Sequence, residues 1–343
     1  MPYAGVIFGP DGKLYGTAET GGPCNCGSAF SLTPPACKGG AWTADVIHAF
    51  TGQPTLEPGD GANPYAPLVL GTGGDLYGAT QSGGICCGII FKLNPPAFTG
   101  EPWTLQKLYG FSGYQDDGVF EESPVAIGKS GELYGVTSGG GYDAHGLSAG
   151  VVFDITPPSS GGGYWGETVT HDFGAQPIDG DSPYDGLVIA QSGVLYGTTY
   201  YGGNGTGCGN TSGCGTVFEM TPSSGGGWTE SVLYNFGITA TDGEYPYFGT
   251  LLLGNNGTLY GTTSAGGLSG FGEIFALAPP TPPANAWTKM SLYSFSGTAG
   301  DGASPCNGLI AGPNGTFFGT TFAGGSHTGT CPAGCGTVFE LTQ

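Results

Sequence analysis

The sequence predicts an all-β chain, a six-bladed β-propeller with four antiparallel strands per blade and a last blade that lacks its outer strand. Three observations carry this. A five-residue word recurs six times, starting at Leu14, Leu76, Leu133, Leu195, Leu259 and Phe317, at spacings of 62, 57, 62, 64 and 58 residues, which marks a tandem repeat. Each unit divides into four short apolar runs separated by turn residues, as antiparallel strands require. No stretch shows a helical period, and the 72 glycines and 26 prolines fall at fixed places in each unit. A regular array shares one continuous core, so residues 1–343 are expected to form a single domain, with blades at about 1–60, 61–118, 119–180, 181–242, 243–301 and 302–343.

The fourth unit shows the elements in order. Its first run is Gly186 to Ala190, and the turn at Gln191-Ser192-Gly193 leads into the second, Leu195 to Thr199. Equivalent turns read Pro10-Asp11-Gly12, Asn255-Asn256-Gly257 and Pro313-Asn314-Gly315, where Gly and Asn accept the positive φ of hairpin turns. A glycine-rich loop of variable length follows, then the third run, Gly215 to Met220, stopped by Thr221-Pro222 because proline cannot donate to a ladder. Trp228 opens the fourth run, which closes at Phe236. The same Trp recurs at 42, 103, 165 and 287, and the same Phe at 50, 111, 173 and 295, so the tryptophans are expected to be core anchors at the start of the outer strand.

At the two ends the repeat is uneven. Pro2 to Val6 already matches a first strand, whereas Leu341-Thr342-Gln343 ends after a third. Either blade six stays three-stranded, with 336–340 as an exposed edge, or a strand from elsewhere completes it. An unpaired edge of this kind is a docking site for a strand in trans, and self-association through it is one partner expectation.

The chain's wording, "LYGTT…GG…GTVF…TP…W…LY.F…DG", resembles the bacterial GloVer tandem-repeat family over almost its whole length. The resemblance implies a secreted or surface-anchored protein and brings no catalytic residues to carry over. A looser similarity, to propeller sensor domains with an "LWIGT"-type strand, concerns architecture only.

Charge and cysteine content narrow the function. Six Lys and Arg against 26 Asp and Glu give a net charge of −20, which repels phosphate backbones and excludes nucleic acid as a partner. No run of 18 apolar residues exists to span a membrane. Ten cysteines with few lysines point to an extracellular or cell-surface protein with disulfides. Met1-Pro2 opens neither a charged nor an apolar leader region, so any export signal is expected to lie outside this sequence.

The loops that precede the first strands and follow the second strands should carry function, since a rigid scaffold positions them. Cys208–Cys214 and Cys331–Cys335 have workable separations for local disulfides. Cys86 with Cys87 would form a strained ring and Cys24 with Cys26 a tight one, so these four are expected to pair otherwise or stay reduced. Cysteine pairs spread over blades one, two, four and six do not converge on a zinc ion. Cys37 is left over. The histidines, His48, His145, His171 and His327, are scattered over different blades and compose no Ser-His-Asp, HExxH or P-loop arrangement.

An Asp-Gly recurs with Asp60, Asp117, Asp179, Asp242 and Asp301. Repetition favours a turn, capped by the Asp; the alternative is a ring of carboxylates for Ca²⁺. No cofactor is otherwise required.

Deviations from the repeat say more, because structure does not demand them. Asp116, Asp117, Glu121, Glu122, Asp181, Asp185 and Glu244 could form an acidic cluster suited to glycoside hydrolysis or lysis, against a simpler reading as a solvated acidic surface. Tyr3, Tyr65, Tyr184 and Tyr247 each follow the proline that leads into a first strand, and either offer flat faces to sugar rings or pack between blades. The first expectation is therefore a secreted non-enzymatic propeller for binding or extracellular assembly, with carbohydrate or protein as ligand. The alternatives are a polysaccharide-active enzyme and a filament or surface-layer subunit.

Overall fold

The computed structural model describes residues 3–52, 59–98, 100–113, 117–119, 122–141, 149–159, 164–174, 178–209, 211–298, 300–326, 331 and 334–342. The chain is all-β and has the six-bladed β-propeller fold, its sixth blade one strand short. Blades one to five are each a four-stranded antiparallel sheet in sequence order. In blade four the strands are Val188–Ile189, Leu195–Thr199, Thr216–Pro222 and Trp228–Asn235. The first strand is thus shorter than the apolar run that announced it. Blade six has only Ile310–Ala311, Thr316–Gly324 and Val338–Thr342 in this order, and Val338 on its open edge is 81 % exposed.

Contacts divide the chain into two compact units, Met1–Gly141 with Gly150–Thr170 and Tyr142–Ala149 with His171–Gln343. Each has its own apolar clusters. In the first, Phe50, Leu76, Ile89 and Phe91 are buried together, as are Phe111, Val151 and Phe153. In the second, Val217, Phe236, Leu259 and Phe275 form the corresponding cluster.

The recurring word is explained residue by residue. Its glycine lies opposite the third-strand Phe in every blade, Gly16 with Phe30, Gly78 with Phe91, Gly135 with Phe153, Gly197 with Phe218, Gly261 with Phe275 and Gly319 with Phe339. The ring lies over the glycine, and the closing Phe of the preceding blade meets it edge-on, as in Phe50–Phe91, Phe111–Phe153, Phe173–Phe218 and Phe236–Phe275. Such pairs are worth about 0.5–1.5 kcal/mol beyond the area they bury. The last Thr of the word, Thr80, Thr137, Thr199, Thr263 or Thr321, donates its hydroxyl to the carbonyl two residues on.

That Thr also explains the Gly of each Asp-Gly. Gly180–Asp181 pairs with Tyr201–Gly202 in a two-stranded ladder repeated at the other blade junctions. A Cβ on Gly180 would stand 2.3 Å from Thr199 Cγ2, so only glycine lets the two segments approach.

The tryptophans anchor the core by one edge only: none is fully buried, and Trp103, Trp165 and Trp287 pack against the core clusters. Trp42 is 47 % exposed and the other four are half-buried. Trp103 packs against Tyr15, and Trp287 against Tyr196, at centroid separations of 5.6 and 6.0 Å. They shield the word's Tyr on the preceding blade from the outside, and a position at the start of an outer strand leaves the rest of the indole in solvent.

All four local cysteine pairs are closed, which corrects the expectation for two of them. Cys24–Cys26 and Cys86–Cys87 are disulfides, as are Cys208–Cys214 and Cys331–Cys335. Each pair lies in the loop before a third strand, and in blades one and two the loop brings the two sulfurs together without help from another blade. Among the described residues Cys37 and Cys306 are free, and no helix is long and apolar enough to cross a membrane.

Candidate functional site

Among the described residues the densest set of aromatic rings lies in the second unit, on the segments leading into blades four and five and just after the second strand of blade four. Tyr184, Tyr200, Tyr201, Tyr245, Tyr247 and Phe248 form a connected cluster in which all six side chains are half-buried. Tyr200 is its hub: it stacks on Tyr245 at 5.0 Å and 26°, and meets Tyr184, Tyr201 and Tyr247 at 5.7, 4.6 and 5.2 Å. Burial, with the neighbouring tyrosines next, raises its hydroxyl pKa above the usual value.

Two of these rings stand on left-handed backbone. Tyr245 has φ 58° and Phe248 has φ 51°. Among the described residues the first position is left-handed at three other junctions, but Asn63, Ser182 and Ser304 occupy it there, and Asn adopts this region several-fold more readily than bulky residues do. Holding an aromatic residue there costs on the order of 1–3 kcal/mol, a strain that gathers at binding sites. The fold needs a left-handed residue at 245; it does not need a tyrosine.

The predicted tyrosines are therefore brought together in two pairs. Tyr184 and Tyr247 belong to the cluster at 5.4 Å from each other, while Tyr3 and Tyr65 meet at 4.7 Å in the first unit. Sequence reasoning passed over Tyr200, Tyr201, Tyr245 and Phe248. The signal was present, since Tyr200-Tyr201 stands where the other blades carry Glu19-Thr20, Gln81-Ser82, Ser138-Gly139, Ser264-Ala265 and Phe322-Ala323.

The predicted acidic residues are not assembled in this way. Among the described residues, no three of Asp117, Glu122, Asp181, Asp185 and Glu244 bring carboxylate oxygens within 4.8 Å of one another; Asp116 and Glu121 lie outside the described residues. Glu122 belongs to the first unit and accepts from the Gln81 amide. Burial raises the carboxyl pKa of Glu122 above the ordinary range. Asp181 accepts from the Ser182 hydroxyl at 2.7 Å. Burial, then the charge of Asp242, raises Glu244.

Asp185, next to Tyr184, is 3 % exposed; it accepts from the Thr198 hydroxyl at 2.5 Å and from the Gly249 amide. Burial pushes its carboxyl up to about 6 against those two hydrogen bonds, and the same burial, with Asp185 second, pushes the nearby Cys306 thiol up to about 11. The folded state thus holds the Asp185 proton more tightly than the unfolded chain. Its charged form costs stability above pH 6, and that cost is relieved as pH falls through 6 towards 4. The full relief is on the order of 3 kcal/mol. Urea unfolding at pH 7 and pH 4.5 should show this gain for the native chain, and Asp185→Asn should lose that part of the pH slope; an unchanged slope would refute the assignment.

The five Asp-Gly carboxylates are engaged by their own turns, as the turn reading expects. Asp117 and Asp301 accept from the backbone and hydroxyl of Ser112 and of Ser296, and Asp60 does so from Thr51. Asp242 takes Tyr234 at 2.8 Å, the Ile238 and Gly243 amides at 3.2 and 3.0 Å, and Lys289 at 2.5 Å. Asp179 holds the Gly180 amide at 2.8 Å and stands 3.4 Å from His171 Nε2.

Among curated proteins, none matches the chain in sequence. A crystal structure of a protein of unknown function from Dyadobacter fermentans DSM 18053 is similar in fold, with a TM-score of 0.50 and 11 % identity over 100 % of this chain and 94 % of that one. The pattern of the Gloeobacter/Verrucomicrobia repeat matches residues 1–210 and 205–343. These two matches span every blade, bear out the resemblance carried by the recurring word, and show that the chain belongs to the Gloeobacter/Verrucomicrobia repeat family.

Proposed function

We propose that this protein is a secreted, non-enzymatic binding module that takes carbohydrate on the aromatic cluster of blades four and five. The observation that carries the reading is the pair Tyr245 and Phe248, aromatic side chains kept on left-handed backbone beside Tyr184, Tyr200 and Tyr247. Half-buried tyrosines combine a flat apolar face with a hydroxyl, the chemistry that pyranose rings and their hydroxyls meet well. Closed disulfides fit an oxidising compartment. The buried, doubly hydrogen-bonded Asp185 supports a positioning role over an acid–base one.

Affinity electrophoresis in gels containing xylan, laminarin, dextran or hydroxyethylcellulose tests this. At least one polysaccharide should retard the native chain without release of reducing ends. Tyr200→Ala should weaken that retardation by roughly 10-fold or more, given that stacking aromatics at binding sites contribute about 1–3 kcal/mol each. Tyr164→Ala, at a tyrosine 98 % exposed and outside the cluster, should not. Retardation unaffected by Tyr200→Ala would reject the site, and release of reducing ends would favour the enzymatic alternative. Light scattering on the same samples separates ligand binding from self-association through the open edge of blade six.

A further inference from the structure

In the second unit, one junction brings an imidazole and two carboxylates to the same point. His171 is the last residue but one of the fourth strand of blade three, Gly166–Asp172, Asp179 is the Asp of the next Asp-Gly, and Glu230 lies two residues into the fourth strand of blade four. One ligand atom from each lies within 4.8 Å of the others, the only such set of three among the described His, Cys, Asp and Glu residues. His171 is fixed by an edge contact with Phe173 at 4.8 Å.

Each of the two carboxylates keeps one buried oxygen without a hydrogen-bond donor. Asp179 is 5 % exposed, and its Oδ2 has no hydrogen-bond partner although it lies 3.4 Å from His171 Nε2. Oε1 of Glu230 is likewise buried without a partner. Two orphaned anionic oxygens in one buried place are costly unless a cation joins them.

The repeat supplies an internal comparison. At the following junction Tyr234 replaces His171, Asp242 replaces Asp179 and Lys289 replaces Glu230, each at the same place in its Trp-Thr-x, Asp-Gly or x-x-Phe word. There the cation is part of the chain: Lys289 Nζ binds Asp242 at 2.5 Å and also Glu273. Where blade five puts an ammonium beside the aspartate, blade four puts a second carboxylate and blade three an imidazole.

We infer that His171, Asp179 and Glu230 form a binding site for one divalent transition-metal ion of the zinc class. A nitrogen with two carboxylate oxygens suits Zn²⁺ and its neighbours rather than Ca²⁺, which takes six to eight oxygens. With bonds of about 2.0–2.2 Å, tetrahedral ligand atoms stand roughly 3.3 Å apart, and the 3.4 Å between His171 Nε2 and Asp179 Oδ2 already has that spacing. Three protein ligands leave a fourth position for water or for a donor from a partner. The Asp-Gly carboxylates are thus not a ring of equivalent sites; one of the five gains a metal by the residues that happen to face it.

Titration calorimetry of untagged, metal-stripped protein with ZnCl₂ alone tests the site. One Zn²⁺ per chain should bind, and Zn²⁺ in excess should raise the thermal midpoint, because a ligand of the folded state stabilises it. Glu230→Lys installs the arrangement of the next junction; it should fold and lose Zn²⁺ affinity by more than the roughly 100-fold that losing an outer partner of a metal ligand can cost. His171→Ala should lose it too. Cobalt should give the visible spectrum of a low-coordinate nitrogen–oxygen site in the native chain only. Absence of Zn²⁺ and Co²⁺ binding up to millimolar concentration, stoichiometric binding retained in Glu230→Lys, or preference for Ca²⁺ over Zn²⁺ would each overturn the inference. Polysaccharide retardation is read separately, so failure of one does not decide the other.

Discussion

Replacing Lys289 with methionine is expected to destabilise the chain by about 3–5 kcal/mol, the cost of leaving buried charges uncompensated. Its side chain is 9 % exposed and lies between Asp242 at 4 % and Glu273 at 0 %, with its ammonium 5.9 Å from the centre of the Tyr234 ring. Methionine keeps the volume of the aliphatic stem, so the loss reports charge rather than packing. Asp242 retains Tyr234 and two backbone amides, whereas Glu273 has Lys289 as its salt-bridge partner. Glu273→Gln combined with Lys289→Met should therefore recover part of the loss, because it removes the carboxylate with fewer alternatives. Urea unfolding of the single and the double variant measures this. A loss below about 1 kcal/mol in the single variant, the range of an exposed pair, would show that water reaches the ammonium and that the triad is not desolvated.

This junction shows where the sequence was legible. The strand order, the blade count and the short sixth blade follow from apolar runs, turn residues and the period, because every blade solves one packing problem with the same side chains. The Asp-Gly turns were legible for the same reason. What a column of the repeat touches was not. Leu105, Glu167, Glu230 and Lys289 occupy one column, and its chemistry changes only in combination with residues that precede it by some fifty positions, such as His171 and Asp179. Read singly, His171 is one scattered histidine and Glu230 one of many acids. The aromatic cluster was half legible: Tyr184 and Tyr247 stood out after their prolines, but Tyr200 joins them from just beyond the second strand, a contact that spacing does not reveal. The cysteines misled because ring strain was weighed without the loops, which bring both short pairs together.

The seat of the third-strand Phe on the word's glycine carries the other large expectation. Phe218 is fully buried; it lies over Gly197 and meets Phe173 at 5.1 Å. Phe218→Ala should cost about 3–5 kcal/mol, the usual loss for a buried aromatic ring. Gly197→Ala attacks the same contact from below. Its Cβ would stand 2.5 Å from Phe218 Cζ and 2.9 Å from Leu187 Cδ2, closer than packed atoms come, and neither neighbour has room to retreat in a core without voids. Overpacking of this kind costs about 1–3 kcal/mol. The two losses should not add. With the ring gone, the new methyl group enters space that the ring had filled, so the double variant should be more stable than the sum of the singles predicts, by about 1–2 kcal/mol in a double-mutant cycle. Simple additivity would mean that the glycine is kept for backbone freedom and not as a seat. Gly197 is absent from the left-handed glycines, unlike Gly193, Gly202 and Gly203 around it, so its backbone would accept alanine and only the ring forbids it. The word recurs in six blades because six aromatic rings need a place without a Cβ beneath them.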